Sequence, residues 1–408
     1  MTESTPAASP APPAAARRES LLTTGFRQIL AVTFLSFGAE SLVRAVVPLM
    51  VLDRGGDAVL VGLVTTAYSL PSLLFRPLVG NLIDSWHHKL LYRGGAFMTV
   101  IVPNLLLLPG IPVMMVVRFL TGTAWGFFSV SNHSLMAKLA PPNRRAEASG
   151  VFMTMPALGQ LFLPALGVAL YTSAGRDALW PILMASAMFL GSFLITTRMH
   201  VPPPPPKPAP VAGERTSLLG RFVEPSALAG TAMLIVSFSA WSIFTVFPSV
   251  YALHLGKPIQ VLVLYFPVFG LAQAISQPVF GKVADRMGRM RSITLGALMG
   301  MVGLLIVIVP ATIVPPMMTF AIGAFIYALG QSFVNPTISA LVMERAPRHR
   351  LGSAMATYTI GFQFATGTSS LLWGAIITSF GFTWLFVVAA SLQVLTIAMS
   401  RVLLAPKD

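Results

Sequence analysis

Cysteine is absent from the 408 residues, so neither disulfides nor thiolate metal sites are available. Charge is nearly as scarce. Asp, Glu, Lys and Arg make up 10% of the chain, where a soluble domain carries about 25%. With 55% of residues hydrophobic, there is too little polar surface to wet a globule all round, and lipid must cover much of it. Acids are the scarcest charged class, 13 against 27 basic residues. The resulting formal charge of +14 invites a nucleic-acid reading, which the placement of the basic residues excludes below. The first 25 residues are rich in Pro and Ala and lack the run of about 7–15 apolar residues that a cleavable signal needs. A disordered cytoplasmic tail is expected there.

What the chain does have is long apolar runs, and Ile101 to Val117 and Ile293 to Phe325 carry no charge at all. About 20 apolar residues cross a hydrocarbon core of about 30 Å. On that measure spans are expected at 27–51, 57–80, 90–109, 112–138, 145–172 and 178–198. A second set falls at 222–252, 258–280, 292–310, 316–343, 351–379 and 382–403. Between the sets, five consecutive prolines at 202–206 favour an extended spacer and cannot continue a helix. The expected fold is all-α integral membrane, with twelve transmembrane helices in two pseudo-symmetric six-helix bundles. Its division is a tail at 1–25, bundles at 26–200 and 219–404, and a Pro-rich linker at 201–218.

Lys and Arg in short loops set orientation. With the N-terminus in the cytoplasm, 21 of the 27 basic residues fall inside. Arg54, Arg176 and Lys257 fall outside, and Arg44, Arg76 and Arg118 lie within spans. Both termini are therefore expected to be cytoplasmic, in a multi-pass protein of the cell (inner) membrane. The basic charge is explained without nucleic acid.

The two halves echo each other. At a shift of 201, Ser36, Phe37, Ala39 and Ser41 meet Ser237, Phe238, Ala240 and Ser242, and Pro77, Gly80 and Asp84 meet Pro278, Gly281 and Asp285. At a shift of 202, Gly150 and Gly159 meet Gly352 and Gly361. Two six-helix halves about an axis along the membrane normal place a substrate near the midplane between them.

Residues 80–89 read G-N-L-I-D-S-W-H-H-K and residues 281–291 read G-K-V-A-D-R-M-G-R-M-R. Span 4 opens R-F-L-T-G-T-A-W-G from Arg118, and span 5 carries Gly150, Gly159, Pro164 and Gly167. The first two segments resemble the loop motif of the major facilitator superfamily; the others resemble its fourth-helix arginine motif and its fifth-helix antiporter motif. The first loop copy departs at Ser85 and His87, and span 5 departs at Leu163 and Val168, where glycine is usual. The resemblance covers nearly the whole chain and points to the drug/proton antiporter branch. It implies that Gly80, Asp84, Lys89, Gly281, Asp285, Arg286, Gly288 and Arg289 latch helix ends. It also implies that Gly150, Gly159, Pro164 and Gly167 serve close packing and bending as the halves rock.

Of the 13 acids, only Glu40 falls near the middle of a span. An ionisable group at that depth costs several kcal/mol unless paired or hydrated, and is a functional candidate by default. Arg44 lies one turn on and can pair with it at i,i+4; Arg118 can reach it across a cavity or bind an anionic group on the substrate. The pair with Arg44 has a plain alternative, holding helix 1 in register without moving protons. Two deep arginines against one acid give the first half a positive bias, which disfavours a simple dication as substrate unless both arginines serve Glu40. Uncharged binding candidates are Tyr68, Trp125, Asn132, Gln160, Trp241, Phe244, Gln273, Gln331, Asn335 and Gln363, with His133, Tyr265 and Tyr358 beside them. Each has an alternative role in helix packing.

The expected activity is secondary transport by alternating access, as proton-coupled efflux of a small amphiphilic molecule. The alternatives are export of a polar or zwitterionic metabolite, and import of a small organic solute. For the former, Phe75 to Gly80, the F-F-S-V-S run at 127–131 and Met155-Pro156 look similar to opine-metallophore exporters. A membrane enzyme would need acidic or histidine clusters at an interface, and the sequence offers none. Expected partners are the substrate, protons and the bilayer; no metal, cofactor or nucleic acid is expected, and the protein is expected to be a monomer.

Overall fold

The computed structural model describes residues 22–83, 88–139, 145–199, 224–346 and 351–404. The expected linker and most of the expected tail lie outside them. The first half contains α1 (Thr24–Asp53), α2 (Ala58–Ile83), α3 (His88–Ile101), α4 (Ile111–Leu139), α5 (Arg145–Ser173) and α6 (Leu179–Arg198). The second contains α7 (Pro225–Phe238), α8 (Trp241–Val246), α9 (Pro248–His254), α10 (Val261–Met287), α11 (Arg289–Ile306), α12 (Pro316–Arg345), α13 (Leu351–Gln363) and α14 (Ser369–Leu404). No strand occurs among the described residues. Helix is the form that satisfies every backbone polar group within one lipid-covered segment. Thr23 starts α1 by accepting from the Phe26 amide at 3.3 Å, and Glu224 caps α7.

Nine described segments are long and apolar enough to cross a membrane, and Pro225–Phe238 and Val261–Ser276 are shorter apolar helices. The longest of the nine, Thr357–Leu403, contains Gly381 at φ 81° and ψ 178°. That left-handed φ suits glycine alone, and it divides the segment where the sequence sets spans 11 and 12 apart.

Two segments are less regular than expected. The span at 222–252 is broken into α7, α8 and α9. Pro248 cannot donate at the second break. The first break frees carbonyls, and they are collected from neighbouring helices. The Ser237 carbonyl accepts from Tyr327 Oη, Gln331 Nε2 and Gln393 Nε2, each at 3.0 Å. The Ser239 carbonyl accepts from Trp373 Nε1 at 2.9 Å, Ser242 Oγ at 3.0 Å and Ser369 Oγ at 3.2 Å. The span at 351–379 contains a π-helical turn, Phe364–Thr368.

The termini of the described chain share one face, called near; the loops after α1, α4's start, α5 and α9 mark the far face. Within the first half, α1 packs on α5 and α6, α2 on α4, and α3 on α4 and α6. The second half repeats this: α7 packs on α13 and α14, α10 on α12, and α11 on α12 and α14. Gly159 and Gly361, matched by the sequence repeat, both sit at these contacts. A Cβ on Gly159 would lie 3.0 Å from Gly38 Cα of α1, and one on Gly361 would lie 2.3 Å from Thr231 Cγ2 of α7. The halves meet through α5 with α10 and α2 with α14, and α1 also meets α8 and α9.

The α2–α14 seam is built on backbone. A Cβ at Gly374 would stand 2.4 Å from the Ala58 carbonyl oxygen, and one at Gly62 would stand 2.6 Å from that of Ser370. Ser370 Oγ donates to the Gly62 carbonyl at 3.3 Å. Nearer the middle, Ser69 Oγ lies 3.3 Å from Thr368 Oγ1, and Gln363 Nε2 donates to Ser72 Oγ at 3.2 Å.

Candidate functional site

Close packing between helices places Glu40. Gly122 brings α4 against the α2 backbone at Tyr68, where an added Cβ would fall 2.0 Å from the Tyr68 carbonyl oxygen. Arg118, one turn earlier on α4, then lies over the Tyr68 ring, its Cζ 4.1 Å from the centroid. The same register brings Arg118 Nη2 to 3.8 Å from Glu40 Oε1. Arg44 Nη2, one turn along α1, lies 3.9 Å from the same oxygen. Both arginines proposed from the sequence therefore face this carboxylate.

The two pairs are unequal. The side chains of Glu40 and Arg118 are 1% and 2% exposed, whereas that of Arg44 is 35% exposed. At 3.8–3.9 Å these are ion pairs without hydrogen bonds. Both Glu40 oxygens, Arg118 Nε and Nη1, and Tyr68 Oη are buried without a hydrogen-bond partner. Such groups cost about 1–3 kcal/mol each when left unsatisfied, so this charge cluster is an expensive one to bury. Glu40 is more than an intrahelical pair, because its better-buried partner comes from another helix.

Arg44 belongs both to this charge cluster and to the lining of a cleft between the halves. The cleft is lined by Ser41, Arg44, Ala45, Gln160 and Pro164 from the first half, and by Thr245, Phe266, Phe269 and Gln273 from the second. Gln273 Nε2 is a buried donor without a partner. Gln160 and Gln273, two of the expected binding residues, thus meet Arg44 here, and Pro164 of the expected helix-5 motif joins them. Ser41, Thr245, Phe266 and Phe269 are additions. Ser41 carries a sequence signal, since it flanks Glu40 on the face shared with Arg44. Phe266 and Phe269 read as ordinary apolar helix positions.

The other candidates do not line the cleft, although Trp241, Phe244 and Tyr265 pack on its Phe269 with ring centroids 5.1, 6.4 and 6.3 Å apart. Trp125 stacks edge-on against Phe37 at 4.8 Å. Asn132 is buried, accepting from Tyr92 Oη at 2.8 Å and donating to Thr33 Oγ1 at 2.9 Å. Trp241 stacks on Phe238 at 4.7 Å, and Phe244 sits among Phe320, Tyr327 and Phe386. Gln331 holds the Ser237 carbonyl, Asn335 pairs with Tyr358, and Gln363 bridges the halves to Ser72. His133 Nδ1 lies 2.8 Å from the Ser129 carbonyl oxygen, and Tyr265 Oη donates to the Phe244 carbonyl at 2.7 Å.

Among the loop-motif residues, Gly288 (φ 81°) joins α10 to α11, and Arg289 pairs with Glu344 at the end of α12. Lys89 is exposed. Asp84 lies outside the described residues, as do the side-chain surroundings of Arg76, Gly80, Gly150, Gly281, Asp285 and Arg286. Gly167 packs on α1, where an added Cβ would come 3.0 Å from the Leu42 carbonyl oxygen.

Two pseudo-symmetric helical bundles, with a buried charge cluster beside a cleft between them, define a multi-pass membrane transporter. The comparisons give the family. The sequence profile of the Major Facilitator Superfamily matches residues 29–319 and 229–408, and the chain belongs to that superfamily. Its members are transporters, not enzymes. The chain is 20% identical over 393 residues to the staphylopine export protein of Staphylococcus aureus (strain Mu50), covering 92% of this chain and 95% of that one. It is 28% identical over 376 residues to the multidrug resistance protein MdtG of Yersinia enterocolitica, covering 88% and 87%. In fold it is similar to the nucleoside transporter NupG, with a TM-score of 0.74 at 12% identity over 93% of this chain and 99% of that one.

Proposed function

We propose that this transporter moves a small amphiphilic molecule out of the cell in exchange for protons, with Glu40 as the proton-carrying group. The observation that carries this reading is Glu40 itself, a buried carboxylate held between Arg44 and Arg118 with both oxygens free of hydrogen bonds. Protonation would discharge it and weaken both ion pairs at once. Arg118 would keep the Tyr68 face, while Arg44 would be released toward the cleft. Because Arg44 lies beside the inter-half contacts, the charge state of Glu40 would bias how the halves pack. An inward proton is worth roughly 2.3 kcal/mol per 100 mV, enough to export a small molecule uphill. The basic near face is assigned to the cytoplasm, in the cell membrane, and the α2–α14 seam to the closed outer gate.

The test is Glu40→Gln in proteoliposomes. Gradient-driven transport should be lost, while substrate counterflow without a pH gradient persists and reports a folded carrier. Transport that still follows an imposed pH gradient in this variant would defeat the proposal.

A second reading is favoured by the cleft's donors. Arg44 and the unpartnered Gln273 Nε2 suit a polar or zwitterionic metabolite with acceptor groups better than a cationic drug. Resistance assays compared with metabolite accumulation in a deletion strain separate the two.

A further inference from the structure

We infer that the near ends of α1 and α6 form a binding site for the phosphate of an anionic phospholipid. A groove there is lined by Thr24, Arg27, Gln28 and Ala31 of α1 and by Ile195 and Arg198 of α6. Two helices thus each contribute one guanidinium to one concavity. Neither arginine forms an ion pair with a carboxylate among the described residues. A third guanidinium caps the same end of α6, Arg93 Nη2 donating to the Thr197 carbonyl at 2.5 Å. Arg93 Nε remains a buried donor without a partner. The charged side chains described at this end of the two helices, Arg27, Arg93 and Arg198, are therefore all cationic. Arginine forks match phosphate oxygens in pairs, and Gln28 and Thr24 can donate alongside them.

Free phosphate would be served by the charges alone, but the surroundings are those of a lipid. The groove wall is apolar at Ala31 and Ile195. From Arg198, the exposed face of α6 continues toward its start through Leu194 (47%), Leu190 (45%) and Leu183 (44%). Spacings of four, four and seven residues keep these on one helix face. A headgroup held by Arg27 and Arg198 would lay its acyl chain along that stripe. Basic pockets between helix ends at the membrane surface bind anionic headgroups in this way. Since α1 also carries Glu40, an occupant would fix the near end of the helix that bears the buried carboxylate. The site itself is independent of proton coupling.

The experiment measures thermal unfolding of the full chain in detergent while phosphatidylglycerol or phosphatidylcholine is titrated. Phosphatidylglycerol should raise the midpoint saturably, and phosphatidylcholine should not. In Arg27→Gln/Arg198→Gln, the apparent affinity for phosphatidylglycerol should fall about thirtyfold, from about 1 kcal/mol for each basic residue. Equal responses to the two lipids, or an unchanged affinity in the double variant, would overturn the site. A full midpoint rise with inorganic phosphate alone would overturn the lipid assignment. Should the double variant not fold, native mass spectrometry of the wild type decides. Retained phosphatidylglycerol with no retained phosphatidylcholine upholds the inference, and equal retention rejects it.

Discussion

The two arginines facing Glu40 should couple to it with very different strengths. At 3.8 Å and an effective dielectric of about 20, opposite unit charges attract by about 4 kcal/mol. The Glu40–Arg118 pair is sealed from solvent on both sides, so little of that is screened. The Glu40–Arg44 distance is nearly the same at 3.9 Å, but the Arg44 side chain is 35% exposed. Partly exposed pairs retain about 0.2–1 kcal/mol. Two double-mutant cycles measure the difference. One uses Glu40→Gln, Arg118→Met and their combination; the other replaces Arg118→Met with Arg44→Met. Stability is read by reversible unfolding in mixed micelles. A coupling energy about 3 kcal/mol larger for Arg118 is expected, with the combined Glu40→Gln/Arg118→Met variant more stable than Arg118→Met alone, since no unpaired buried charge remains. Equal coupling energies, or a larger one for Arg44, would refute the argument from burial.

Other outcomes follow from packing and hydrogen bonding. Gly159→Val should separate α5 from α1 at Gly38, costing about 1–3 kcal/mol; Gly94→Ala, whose added Cβ meets nothing within 4 Å, is the control, and melting curves compare them. Tyr171→Phe removes the hydrogen bond to Asp53 Oδ2 at 2.6 Å and should cost about 1 kcal/mol, read as a lower melting midpoint. Gln331→Leu/Gln393→Leu should destabilise the broken α7–α8 segment beyond the loss from either change alone, because the Ser237 carbonyl loses two of its three donors together. Hydrogen exchange at 237–243 should rise in that variant.

Much of the fold could be read in the sequence because its causes are local. Apolar length sets the spans, and Gly381 separates the last two. The repeat foretold paired contacts, and Gly159 and Gly361 make them. The isolation of Glu40 was equally plain, since one acid among so many apolar residues cannot be hidden. The breaks in α7–α9 were less visible. Pro248 marks one of them, but the other depends on Tyr327, Gln331 and Gln393 arriving from distant helices to take up a freed carbonyl. The cleft followed the same rule. Gln160 and Gln273 stand out as amides in apolar surroundings, whereas Phe266 and Phe269 acquire their position only when α10 docks on α5. Asn132 and Gln363 show the converse, polar residues whose hydrogen bonds go to neighbouring helices.

The glycine-lined contact between α2 and α14 has a mechanical consequence. Where two main chains touch directly at Ala58, Gly62, Ser370 and Gly374, few long side chains must find new rotamers as the surfaces part. What a separation uncovers there includes carbonyl and hydroxyl oxygens, which water solvates readily. Such a joint resembles a dry-stone wall more than a zipper: it holds by fit, and moisture entering a crack helps it open.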